Sequence, residues 1–296
     1  MTPTSKARRE SPFHTIEDEV LDLIDAALAE DRGPGDWTSR WIVPARLRAR
    51  AGIVAKADGV LAGLDTALAV FARLDPRIQS EAHRSDGDAV SPGTVICALH
   101  GPARAILTGE RVALNFLQRL SGIATLTRRF VDAVAGTGAR ILDTRKTTPG
   151  WRSLEKEAVQ AGGGTNHRRG LYDAVLVKDN HIAIAGGVPE AIRRVQESND
   201  KALPVIVEVR SIAEVEEALD AGVDRLLLDN MSDDLMREVV RLTRGRDPAP
   251  LLEASGNMTL ERVRSVARTG VHFISVGALT HSAPALDLSL DVGVPG

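Results

Sequence analysis

Apolar residues recur at helical spacing near the start of the chain and then give way to short runs separated by turns, so an order of elements can be read directly. Over residues 16–28, Ile16, Val20, Leu23, Ile24, Ala27 and Leu28 share one face while Glu17, Asp18, Asp22 and Asp25 point outward, which predicts an amphipathic helix. The run Glu30-Asp-Arg-Gly-Pro-Gly-Asp-Trp-Thr38 ends it with turn chemistry. Residues 48–56 and 60–64 flank Asp58-Gly59, a hairpin signal, and Ser85-Asp-Gly-Asp88 and Ser91-Pro-Gly93 punctuate further short strands as far as Leu107. Residues 110–120 then read as a helix, and residues 124–135 as a second one that stops at Gly136-Thr-Gly138.

From Arg140 the pattern becomes a repeat in which a short apolar strand ends in polar residues and a helical segment follows. Six such strands are predicted, at 141–143, 174–177, 205–208, 226–229, 251–253 and 273–276. Ser211 with Glu214 makes a capping box, Ile212, Val215, Ala218 and Leu219 form a buried stripe, and Gly222 closes that helix. Ser232 followed by Asp233 and Asp234 opens the next, which Gly245 closes. Alternation at this spacing implies parallel pairing through right-handed crossovers. The expectation is an α/β fold, an incomplete α/β barrel of about six parallel strands, with an N-terminal α+β domain of antiparallel strands and helices. An open doubly wound sheet is the rival that periodicity alone leaves standing. The domain reading is a tail at 1–12, an N-terminal domain at 13–114 joined by the C-terminal segment 283–296, and the barrel at 115–282.

Composition narrows the functional classes. A chain of 296 residues has ample interior for a core without staples. The single cysteine, Cys97, sits in the apolar run 94–99 and is expected to be a buried structural thiol, which fits a reducing cytoplasm. Residues 1–12 carry Lys6, Arg8 and Arg9 with no apolar stretch behind them, so they are expected to be a frayed tail rather than a secretory signal. Asp65 and Arg73 interrupt the best membrane candidate at 60–74, so no membrane span is expected. A formal net charge of -3 argues against a nucleic-acid binder.

The basic residues are nevertheless clustered. Between 143 and 182 lie Arg145, Lys146, Arg152, Lys156, His167, Arg168, Arg169, Lys178 and His181, a concentration that points to small polyanions. In parallel α/β folds the ligand lies at the carboxyl ends of the strands, and here those ends carry chemistry. Arg145 and Lys146 follow the first strand, Lys178, Asp179 and Asn180 the second, Glu208 and Arg210 the third, and Asp229 and Asn230 the fourth. Glu253 and Ser255-Gly-Asn257 follow the fifth; Ser275 and Gly277 lie at the sixth. Arg152, Lys156 and Arg169 are expected on a solvated helix face. Glu208 and Asp229 are read as site carboxylates, against the alternative of structural ion pairs with Arg225 or Arg210. His181 is left open between a site role and a hydrogen-bonded structural one. His14, His83, His100, His272 and His281 do not pair with cysteine or carboxylate at metal-ligand spacing, so no zinc site is expected. Gly162-Gly-Gly164 alone would be a flexible turn, and Arg111 alone an exposed helical residue.

The runs Asp143-Thr-Arg-Lys-Thr-Thr-Pro-Gly150, Gly162-Gly-Gly-Thr-Asn-His-Arg168 and Lys178-Asp-Asn-His-Ile182 closely resemble the quinolinate phosphoribosyltransferase family. The likeness extends from about Ile16 to Leu290, including the Gly-Asp-Trp-Thr turn and the Leu-Thr-His-Ser-Ala-Pro ending. It implies a cytoplasmic decarboxylating glycosyltransferase of NAD biosynthesis that converts quinolinate and phosphoribosyl pyrophosphate to nicotinate mononucleotide, CO2 and pyrophosphate. By that resemblance Thr144, Arg145, His167, Arg168 and Lys178 hold quinolinate, together with Arg111 reaching in from a neighbouring subunit, so a homodimer is implied. Lys146, Glu208 and Asp229 face phosphoribosyl pyrophosphate, with Mg²⁺ on Glu208 and Asp229 through water. Ser255, Gly256, Asn257, Ser275, Val276, Gly277 and Ala278 match loops for the ribose phosphate. Lys146, Lys178, Glu208 and Asp229 are the implied catalytic groups. Two departures stand out: Trp151 in place of a smaller apolar residue, and Asn257 where glycine is frequent. The competing readings are a nicotinate or nicotinamide phosphoribosyltransferase, which needs fewer cations for its base, and a non-catalytic anion sensor on a barrel scaffold.

Overall fold

The structure is a computed structural model that describes residues 16–293, so the expected tail at 1–12 lies outside the described residues. Two compact units emerge, one running to Arg119 and taking up the chain again at Leu286, the other spanning Leu120–Ala285.

The first unit opens with α1 (Asp18–Arg32), whose buried Val20, Ile24 and Leu28 follow the expected stripe. Next comes α2 (Trp37–Ile42), capped by Asp36, whose side chain accepts from the Ser39 backbone N–H. Its strands are β1 (Arg48–Ala55), β2 (Gly59–Val60), β3 (Gln79–Ala82), β4 (Ala89–Val90) and β5 (Val95–Pro102), with α3 (Leu64–Leu74) after β2. The predicted hairpin about Asp58-Gly59 does not form. Instead β1 pairs antiparallel with β5 and with the closing strand of the chain, while β2 pairs with β4. Burial decides this: Ala49, Ala51, Ile53 and Ala55 of β1 face the core, and only a long partner on each side satisfies eight residues of backbone.

Helix α3 was not anticipated from the sequence. Its run is apolar almost throughout, and its N-terminal N–H groups are capped from a distance, since Asp86 accepts from Gly63 at 2.7 Å and Leu64 at 3.1 Å. The two helices predicted at 110–120 and 124–135 are one, α4 (Ala103–Ala133), within which the units divide. Gly122 at its middle answers packing rather than a break, because a Cβ there would run into the backbone of Pro284. Cys97 is buried, and burial pushes its thiol up to about 11.

The second unit is the expected incomplete barrel. Its strands are β6 (Arg140–Leu142), β7 (Val175–Val177), β8 (Val205–Val209), β9 (Arg225–Asp229), β10 (Leu251–Ser255) and β11 (Phe273–Ser275). They are parallel in the order β6-β11-β10-β9-β8-β7. The last strand returns to pair with the first, so the ring closes on that side and opens between β6 and β7; this excludes the doubly wound sheet, whose strand order reverses at a switch point.

Between the strands lie α5 (Arg152–Ala161), α6 (Asp179–Ala185), α7 (Val188–Ser198), α8 (Ile212–Asp220), α9 (Asp233–Thr243), α10 (Leu260–Ala267) and α11 (Ala278–His281), before the closing strand β12 (Leu288–Gly293). Ser211, Ser232 and Thr259 cap α8, α9 and α10 through their hydroxyls. The expected capping box at α8 is only half present, because the Glu214 carboxylate accepts from Arg210 N–H at 2.6 Å instead of from Ser211.

Candidate active site

The carboxyl ends of the barrel strands enclose a cavity of about 800 Å³. Thr144, Arg145 and Lys146 reach it from the loop after β6, Lys178 from the end of β7, Glu208 from β8, and Asp229 and Asn230 from the end of β9. Ser255, Gly256 and Asn257 come from the tip of β10, and Ser275, Gly277 and Ala278 from that of β11. Two predicted residues are not on its lining. Val276 is buried and donates its N–H to Leu142 at 2.9 Å, inside the barrel wall. Arg111 stands exposed on α4 in the first unit.

His167 and Arg168 arrive on a strap. The turn at 162–164 is held to α4, where Arg128 donates to the Gly162 carbonyl at 3.0 Å, so it is a packed corner rather than a flexible turn. Thr165 then lies parallel to β6, accepting from Asp143 N–H and donating to the Ile141 carbonyl. This places the next three residues along the gap between β6 and β7.

Under the strap is a buried ion pair that corrects one expectation. Lys156, expected on a solvated face, is 1 % exposed and lies 2.5 Å from Asp143 Oδ1. Its ammonium also donates to the His167 carbonyl at 2.9 Å, while the same Asp143 oxygen accepts from the His167 backbone N–H at 2.8 Å. With its amide oriented to satisfy both ends, Asn166 donates to the other Asp143 oxygen. Burial drives the Asp143 carboxyl up and the Lys156 ammonium down, each opposed by the partner. Arg169 is exposed, though on the strap rather than on a helix, and donates to Ser153 Oγ at 2.7 Å, whereas Arg152 is half-buried and donates to Thr147 Oγ1 at 3.0 Å and to the Arg169 carbonyl at 3.1 Å. His181 has a hydrogen-bonded structural role, its Nδ1 accepting from Lys178 N–H at 3.0 Å at the start of α6.

On one cavity wall two guanidinium groups crowd together. Burial lowers the Arg168 pKa, and the nearby Arg145 charge lowers it further. Across the cavity stand carboxylates: burial raises the Glu208 carboxyl, and Asp229 raises it again. Arg210 bridges these two acids, 3.3 Å from Asp229 and 3.5 Å from Glu208, as well as Asp179 at 2.9 Å. Arg225 pairs with Glu253 instead. The acids therefore belong both to a structural ion-pair network and to the cavity lining.

Two loops are built for close approach. Gly256 has φ of +97°, and a Cβ there would collide with the Asn230 side chain. Asn257 follows at φ +47°, the left-handed region that asparagine tolerates and glycine prefers, which accounts for asparagine where glycine is frequent. Thr280 ties two strand tips by donating to the Lys146 carbonyl at 2.8 Å. Sequence reasoning assigned no role to His281, Met258 or Thr259, which also line the cavity. The available signal for the last was its hydroxyl just ahead of the apolar-periodic residues of α10, where it accepts from the Arg262 backbone N–H at 3.3 Å.

An open α/β barrel whose strand tips gather guanidinium and ammonium groups on one side and paired carboxylates on the other defines an enzyme that handles polyanionic ligands. Residues 36–121 match the quinolinate phosphoribosyl transferase N-terminal domain, and residues 123–291 match the C-terminal domain of the same family. The chain belongs to the quinolinate phosphoribosyltransferase family. It is 46% identical over 275 residues to a probable nicotinate-nucleotide pyrophosphorylase [carboxylating] of Bacillus subtilis, covering 93% of each chain. It is 45% identical to a quinolinate phosphoribosyltransferase [decarboxylating] of Nicotiana glauca, covering 95% of this chain and 84% of the relative. Among solved structures, NadC from Streptococcus pyogenes superposes with a TM-score of 0.91 at 38% identity, over 96% of this chain and 100% of that one.

Proposed function

We propose that the protein joins quinolinate to the ribose of phosphoribosyl pyrophosphate and releases CO2 and pyrophosphate, giving nicotinate mononucleotide for NAD biosynthesis. The observation that carries this reading is the pair of guanidinium groups, Arg145 and Arg168, that line the cavity together, the Arg145 charge adding to what burial already costs the Arg168 cation. An aromatic diacid between them removes that cost, since each fork matches one carboxylate. Nicotinate, with a single carboxylate, would satisfy only one.

On this reading Lys178 and Thr144 complete the diacid side, and Lys146 faces the departing pyrophosphate. The Ser255–Asn257 and Gly277–Ala278 loops bring backbone N–H groups toward the ribose phosphate. Glu208 and Asp229 fit Mg²⁺ held through water: burial and the neighbouring Asp229 charge raise the Glu208 carboxyl, a cost that a nearby cation would offset. No cluster of three or more metal-binding side chains exists among the described residues, so water and substrate oxygens would complete the shell. When bound, the ion supplies neutralisation of diphosphate charge. The protein's own groups hold the ring nitrogen in line with the anomeric carbon and stabilise the charge that leaves it. Ribosylation makes that nitrogen cationic, the C2 carboxylate leaves as CO2 because the adjacent positive nitrogen stabilises the carbanion, and a proton taken up from water at C2 completes nicotinate mononucleotide. No nucleophilic triad is required. A homodimer in the cytoplasm, with Arg111 acting across the subunit interface, completes the proposal.

Incubation with phosphoribosyl pyrophosphate, Mg²⁺ and either quinolinate or nicotinate, following CO2 and pyrophosphate, tests the reaction. Turnover of nicotinate but not of quinolinate rejects it. For the shared site, mixing Arg111→Ala chains with Lys178→Ala chains is expected to restore part of the activity through hybrid dimers that carry one intact site. Hybrids that form and remain inactive count against Arg111 acting across the interface.

A further inference from the structure

A carboxylate that the proposed reaction does not use closes the cavity floor. Glu253 is 0 % exposed, and groups from three other segments converge on it. Arg225, at the start of β9, donates to its Oε2 at 2.7 and 3.1 Å. Ser275 Oγ, at the end of β11, donates to Oε1. His167 Nε2, on the strap, stands 3.3 Å from the same oxygen. The Arg225 guanidinium is itself fixed, with its central carbon 4.5 Å from the centroid of the Phe273 ring. A carboxylate this deep is tolerated only when hydrogen-bonded and charge-paired, and Glu253 is both.

The other ring nitrogen of His167 is also engaged. Nδ1 accepts the backbone N–H of Arg168 at 2.7 Å, so the ring proton sits on Nε2 and faces Glu253. The imidazole side chain is 8% exposed, with both nitrogens engaged by the protein.

We propose that Glu253 is a positioning residue for quinolinate: its carboxylate fixes the His167 ring, the ring fixes the Arg168 backbone, and Arg168 is thereby aimed into the cavity. The inference rests on the quinolinate reading and deepens it. It also changes the part taken by His167, which supports Arg168 from behind rather than grasping a substrate carboxylate with its ring. Ser275 connects the same carboxylate to the loop beside the ribose phosphate, so one buried anion holds both halves of the cavity in register. Burial pushes the Glu253 carboxyl up, and His167, Arg225 and Ser275 together hold it below the ordinary glutamate value, in keeping with an anion that stays charged.

The test couples two residues. In calorimetric titrations of the full-length protein, Glu253→Gln is expected to weaken quinolinate binding by about tenfold or more, the scale of a lost charge-assisted contact. In a His167→Ala background the same Glu253→Gln change is expected to add less than about twofold, because the path from Glu253 to Arg168 is already cut. Penalties that multiply in full, or unchanged quinolinate affinity in a folded Glu253→Gln protein, would overturn the proposal. Nitrogen-15 spectra of the histidine-labelled wild-type protein at neutral pH decide the point without any variant: the expected His167 signal has the proton on Nε2 and a bare Nδ1, and a ring protonated on Nδ1 sinks the clamp. Since that spectrum needs no substrate, a failure of quinolinate turnover would refute the reaction and leave the clamp to be judged separately.

Discussion

Lys156→Met is expected to destabilise the protein by about 3 kcal/mol or more, because it strands the Asp143 carboxylate in a site with no access to water. For a unit of this size that corresponds to a melting temperature lowered by roughly 6–12 °C. Methionine keeps the length and apolar stem of lysine, so the loss reports charge rather than a cavity. Asp143 retains the His167 N–H as a partner, which keeps the cost toward the lower end. The double change Asp143→Asn with Lys156→Met is expected to recover part of the loss, since a neutral amide keeps an acceptor for His167 and no buried charge remains unpaired. Thermal unfolding of the two variants beside the unaltered protein checks this. A double variant no more stable than Lys156→Met would show that the pair is not the source of the effect.

The second large effect falls on binding rather than folding. Arg145→Ala and Arg168→Ala are each expected to lower kcat/KM for quinolinate by roughly 10²-fold or more, the scale of removing one partner of a desolvated charge pair. Arg145 is exposed to the cavity, so its removal should leave the melting temperature nearly unchanged. Arg168 also donates to the Ala174 carbonyl at 3.0 Å, and its loss should cost about 1 kcal/mol of stability besides. Steady-state kinetics beside thermal unfolding separates the two contributions. A large fall in melting temperature with unaltered quinolinate affinity would contradict the assignment of these arginines.

What the sequence revealed and what it hid divide along a physical line. All six barrel strands were legible because each is a short apolar run ended by polar residues, and the Ser211 and Ser232 caps act within three residues of themselves. Helix α3 was hidden because its cap, Asp86, comes from more than twenty residues away. The absent hairpin at Asp58-Gly59 had the right turn residues, but the partners of β1 are remote in sequence. Of the candidate site, the residues at strand tips were legible because the fold dictates where tips converge. Lys156 was misjudged for a related reason. Its place three residues before buried Val159 set it on the apolar side of α5, a hint outweighed by the rule that lysines seek water. Nothing local to Glu253 announced that His167, Arg225 and Ser275 would meet on it.

The unclosed edge between β6 and β7 has a further meaning for how the ring holds together. Backbone ladder bonds seal every other seam, but here the strap is laced to the entry of β7 by the Arg168 guanidinium. The same side chain thus serves as a stitch in the scaffold and as a hand for the ligand, so grip on the guest and closure of the barrel draw on one residue.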